Sequence, residues 1–126
     1  MKKSVIIFVL AFVMFAGIGL VSVAQAQDGK FVAVEIAGTK FWLGGGDVDL
    51  RSGLRTAGAL TFKVTNKLDA DHGFAIDAMK VKQVMKPGEE VTISVPMGDL
   101  DQALAVYKFY CHLHTGHIGG TLVVVK

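Results

Sequence analysis

Tyr110-Cys111-His112-Leu113-His114-Thr115-Gly116-His117-Ile118-Gly119-Gly120 runs straight into the apolar segment Thr121-Leu122-Val123-Val124-Val125. The stretch holds the only cysteine of the 126-residue chain and three of its four histidines. Its Cys-x-x-His-x-x-His spacing sets one thiolate and two imidazoles on a short loop between two apolar segments. That donor set suits a borderline-soft metal such as copper or zinc. The fourth histidine, His72, opens another apolar run well upstream, His72-Gly73-Phe74-Ala75-Ile76.

In the segment that leads into the loop, strand alternation puts Ala105, Tyr107, Phe109 and Cys111 on one face, and Val106, Lys108 and Tyr110 on the other. Lys108 belongs in water, so Cys111 is expected at the core end of the fold, where a thiolate is shielded from oxidation and exchange. A tight turn returns His114 to a metal held by that sulfur. His117 reaches the same point through Gly116, and glycines at 116, 119 and 120 permit the bends. His72 has to come from a neighbouring strand. His112 follows the cysteine directly, so alternation points it away from the metal, and it is expected to be solvent-exposed and available for docking.

Taken singly, these residues have plainer readings. A lone cysteine is a buried core thiol or an intermolecular bridge, and a lone histidine at a strand start is a surface or capping residue. Together, His72, Cys111, His114 and His117 form a candidate site for one metal ion per chain. Zinc competes with copper for such a set, but structural zinc sites favour paired cysteines, and only one cysteine is present.

Working outward, Phe31–Ile36 reads as a strand, Gly38 as a turn and Lys40–Leu43 as a second short strand. Gly44-Gly45-Gly46 is expected to break regular structure, and residues 47–58 to form a loop with at most a short strand. Trp42 is expected to pack in the core or on a sheet face rather than to relay electrons. Leu60, Phe62 and Val64 alternate with Thr61, Lys63 and Thr65, the period of a half-buried strand. Asn66–Asp71 is a polar turn, His72–Met79 a strand, and Val81–Val84 its continuation or its partner. Pro87-Gly88 turns the chain into a run in which Val91, Ile93 and Val95 alternate. Leu100–Leu104 has room for one helical turn. With no sustained helical periodicity, the chain predicts an all-β sandwich or barrel.

The amino terminus reads differently. Lys2 and Lys3 precede an almost wholly apolar stretch from Val5 to Val23, and Ala24-Gln25-Ala26 is a small-x-small cleavage pattern. Residues 1–26 are thus expected to be a signal peptide, with an uncleaved membrane anchor as the alternative, and residues 27–126 to be one exported domain. Without Lys2 and Lys3 the 13 basic residues fall to 11, matching the 11 acidic ones. Such a neutral domain does not fit a nucleic-acid binder.

From Leu60 onward the chain resembles the cupredoxins and is most similar, within that superfamily, to the nitrosocyanins, the red copper proteins of ammonia oxidisers. The resemblance is carried by Gly73-Phe74-Ala75-Ile76-Asp77-Ala78, by Val81-Lys82-Gln83-Val84 with Lys86-Pro87-Gly88-Glu89, and by Cys111-His112-Leu113-His114 with Gly120-Thr121-Leu122-Val123-Val124. His72 and Val81-Lys82-Gln83 also resemble the copper domain of cytochrome oxidase subunit II, whose binuclear site needs two cysteines. The resemblance implies a cupredoxin-like Greek-key β-sandwich with one copper per chain. It carries the family's cysteine and two loop histidines onto Cys111, His114 and His117, with the loop two residues shorter. His72 stands where the nitrosocyanins have glutamate and most blue copper proteins have histidine, and His117 lies where the latter usually have methionine.

The expected function is one-electron transfer in the periplasm or another extracytoplasmic space, to a redox partner protein and with no catalytic residue. The alternative is a nitrosocyanin-like copper enzyme or nitric oxide-binding protein with an open coordination position. Copper storage or delivery fits poorly, because methionine clusters are absent. The resemblance also leaves a homo-oligomer open.

Overall fold

The computed structural model describes residues 27–51 and 58–126, and the expected leader lies outside them. Nine strands form among the described residues: β1 (Gly29–Ile36), β2 (Thr39–Gly45), β3 (Asp47–Asp49), β4 (Ala59–Asn66), β5 (His72–Ile76), β6 (Val81–Met85), β7 (Glu90–Pro96), β8 (Val106–Phe109) and β9 (Gly120–Val125). The only helical pieces there are single 3-10 turns at Asp77–Met79 and Met97–Asp99.

The strands make two layers. One is ordered β2-β1-β4-β7, with β1 and β4 parallel and the other pairs antiparallel. The other is β3-β9-β8, with β3 parallel to β9. The β5–β6 hairpin extends this second layer through a reciprocal backbone pair, Ala75 N–H to Tyr110 O at 2.9 Å and Tyr110 N–H to Ala75 O at 3.0 Å. This junction sets the residue after Tyr110, Cys111, beside the start of β5.

Alternation decides which side chains fill the space between the layers. Leu60, Phe62 and Val64 of β4 are fully buried, as are Phe31, Phe74 and Tyr107. Phe31 meets Phe62 within its own layer at 5.7 Å between ring centres, and Phe74 and Phe109 across the core at 4.8 and 4.9 Å. Each such ring contributes roughly 1.5–3 kcal/mol of burial, and Phe31 touches both layers.

The turn before β5 is fastened from inside. Asn66 is fully buried, and its side-chain amide donates to Ala70 O at 2.8 Å and Met85 O at 3.0 Å. Its Oδ1 accepts the Leu68 N–H at 2.9 Å. These bonds hold the polar turn that delivers the chain to His72.

Two local expectations change. Gly44 and Gly45 do not break the structure; they lie in β2, paired with Phe31 and Lys30. Gly44 has φ +126°, and a side chain there would collide with the Lys30 carbonyl, so glycine is what lets the two strands approach. The strand from His72 stops at Ile76, because the 3-10 turn at Asp77–Met79 and a left-handed Lys80 (φ +54°) reverse the chain, and β6 pairs with β5 instead of prolonging it.

Candidate metal centre

Cys111 continues the inward face of Tyr107 and Phe109 and is 6 % exposed. His72, first residue of β5, is 1 % exposed. The Gly73 N–H next to it donates to Cys111 Sγ at 3.2 Å, turning the positive end of a peptide dipole onto the sulfur. The loop beyond Cys111 crosses to the other layer and pairs with the free edge of β2, through Trp42 N–H to Ile118 O at 2.8 Å and Ile118 N–H to Lys40 O at 2.9 Å. A turn closed by His117 N–H to His114 O at 3.2 Å tightens it further. Those bonds seat His117 in the interior at 4 % exposure.

One donor atom each from His72, Cys111 and His117 lie within 4.8 Å of one another. The two Nδ1 atoms of His72 and His117 face each other at 2.9 Å, so a single proton, or a cation taking both lone pairs, satisfies them. His114 sits on the solvent side of this group. It is exposed, its Nδ1 lies 3.6 Å from Sγ, and its ring is 4.7 Å from that of His72. All four residues singled out in the sequence are therefore neighbours, three in a buried set and the fourth as its outer cover.

Burial keeps the inner rings neutral. It pushes His117 down to about 4; the neighbouring His72, His114 and Lys40 push the same way, and the backbone of Phe41 partly offsets the effect. His72 is lowered by burial first, then by His114 and Lys40. At neutral pH both rings offer lone pairs. The Nε2 atoms of both rings are buried without a hydrogen-bond partner. A soft sulfur with converging neutral imidazoles fits a copper ion in donor type and in charge.

Two features escaped the sequence reading. His112 is half-buried instead of exposed, because its ring packs so closely over Gly73 that any side chain at 73 would collide with it; its Nδ1 is buried without a partner. Alternation does keep it out of the donor set, but its ring lies against Gly73 of β5 instead of in solvent. Trp42 is in the core, 2 % exposed, and it also touches the site: its ring lies flat against His117, 5.3 Å between centres and 12° from parallel. Its Nε1–H donates to Gly73 O at 2.8 Å. Nothing in the local sequence of β2 signals a contact with residue 117.

No protein-family profile and no curated protein matches the chain. Among solved structures, it is similar to a laccase-like multicopper oxidase of the lignin-degrading bacterium Ochrobactrum sp., with TM-score 0.52 and 18 % identity over 77 % of this chain. A multicopper oxidase designated mgLAC aligns over 77 % of the chain at TM-score 0.45 and 16 % identity, covering 37 % of its own length. One from Pediococcus acidilactici does so at 0.43 and 15 %, covering 25 %. This chain spans 26 % of the Ochrobactrum structure. The first alignment and the observed topology show the fold, an all-β cupredoxin-like sandwich.

Proposed function

We propose that this chain is a mononuclear copper protein that carries single electrons, with the ion held by His72, Cys111, His114 and His117. The observation behind the reading is one buried sulfur facing two buried neutral imidazoles, at the end of a sandwich. Bound there, copper supplies one-electron chemistry between its +1 and +2 states. The residues supply a stiff frame, since His72, Cys111 and His117 are each anchored by strand or loop hydrogen bonds, which limits rearrangement when the charge changes. His114 is the exposed donor, so a redox partner protein is expected to dock over it. The name of the Ochrobactrum neighbour, a multicopper oxidase, favours copper over zinc in a fold of this kind. Export to the periplasm or beyond follows from the leader pattern and belongs to the same proposal.

The test is the visible spectrum of the full chain loaded with Cu2+. A strong thiolate-to-copper band is expected at one copper per chain, and Cys111→Ser should abolish it, because a hydroxyl is a poor soft ligand. A spectrum unchanged in that variant would sink the proposal.

A second reading, a nitrosocyanin-like small-molecule site, draws on a cavity of about 490 Å³ bordered by His72, His114, His117, Lys40 and Asp69. It has room for an exogenous ligand beside the donors. Under that reading azide at low concentration perturbs the wild-type spectrum and His117→Met collapses it. Under the carrier reading azide has no effect, and His117→Met stays coloured with a raised reduction potential.

A further inference from the structure

Three separate contacts converge on Trp42. Its indole lies parallel to the His117 ring, 12° from coplanar at 5.3 Å. Its Nε1–H bonds the carbonyl of Gly73, the residue whose own N–H reaches Cys111 Sγ. Its backbone N–H bonds Ile118 O, the residue after His117. A core tryptophan needs one apolar wall and one acceptor. This one spends its face and both its N–H groups on the two segments that carry His72, Cys111 and His117.

We infer that Trp42 is a positioning residue of the metal site, which holds His117 as a close fourth donor by stacking flat on its ring and ties that donor to the His72–Gly73 segment. The flat stack blocks rotation of the imidazole about its Cβ–Cγ bond on one side, while His72 closes the edge, its ring 79° from that of His117 at 4.7 Å. With both directions closed, Nδ1 stays turned toward His72. The stack, more than the indole N–H, sets the ring's orientation. The inference rests on His117 being a ligand, and it adds what keeps that ligand in place.

The chain has one tryptophan, so its emission reports on residue 42 alone. Titrating the full-length protein with Cu2+ should quench most of that emission at one equivalent. Trp42→Phe keeps an aromatic face and should retain the wild-type spectrum with a small shift. Trp42→Leu should move the charge-transfer band, make it respond to azide and weaken Cu2+ binding by roughly 10–100-fold, the usual cost of removing a residue that supports a metal ligand. A purely structural role would lower the melting temperature of both variants without separating their spectra. Unquenched emission at copper saturation, a Trp42→Leu spectrum and affinity equal to wild type, or equal spectral losses in both variants would each overturn the inference. If Trp42→Leu does not fold, Trp42→Met takes its place. If the wild-type protein binds no copper, the proposed function fails separately. Trp42 is then judged by NMR of the metal-free protein, where His117 should hold one ring orientation in the wild type and several in Trp42→Leu. A single orientation in both would overturn it.

Discussion

The inner histidines carry the sharpest consequence of burial. His72, His112 and His117 are all lowered mainly by burial, His117 to about 4 against an ordinary value near 6.5. Above pH 6.5 both folded and unfolded chains hold these rings neutral, so they add no pH dependence. As the pH falls below 6.5 the unfolded chain takes up protons that the folded chain refuses, and stability is lost until about pH 4, where His117 itself protonates. Thermal unfolding of the metal-free protein should therefore show a melting temperature that drops from pH 7 to pH 5. A flat or rising profile over that window contradicts the burial of these rings. That Cys111, His114 and His117 come close together was legible in the sequence, because they lie on one loop at fixed spacing. Their separation into a buried set and an exposed cover was not, since it depends on how the loop crosses to β2. His112 shows the limit most plainly: alternation assigns its direction, but contact with Gly73 of β5 half-buries it regardless.

At the scale of elements, the site depends on the hand-over from β4 to β5. Asn66 holds that turn with three side-chain hydrogen bonds and no exposure to solvent. Asn66→Ala strands the Ala70 and Met85 carbonyls and the Leu68 N–H, at about 1–3 kcal/mol for a buried group left unpaired. The expected result is a lower melting temperature together with weaker Cu2+ binding, because His72 follows the loosened turn; loss of stability with unchanged affinity would show the turn to be irrelevant to the site. Strands with clean alternation, such as β4 and β7, were legible from their period of two. In the Gly44–Gly46 run only Gly46 interrupts the strands; glycine marks both a chain break and a close strand approach. Only the pairing of β2 with β1 decides between them. Likewise, Trp42 declares itself as core by its chemistry, but its place against His117 arises from the long-range bond between Ile118 and β2.

At the scale of the molecule, the all-β class followed from turn-punctuated alternation, and the sandwich from packing both layers on one aromatic core. What alternation could not supply is the junction of the β5–β6 hairpin with β8. Ala75 and Tyr110 are far apart in sequence, and their pairing is what sets Cys111 beside His72. The fold thereby brings candidate donors from two chain segments together, with a third segment, β2, packed and hydrogen-bonded against them. The central claim is that a metal bound here is held by sulfur and by these imidazoles together. X-ray absorption at the copper edge of the loaded, full-length protein tests it most directly. The account predicts one sulfur neighbour, lost in Cys111→Ser, and several imidazole nitrogens, reduced in number in His72→Ala. A copper environment of nitrogen and oxygen alone in the wild-type protein would contradict it.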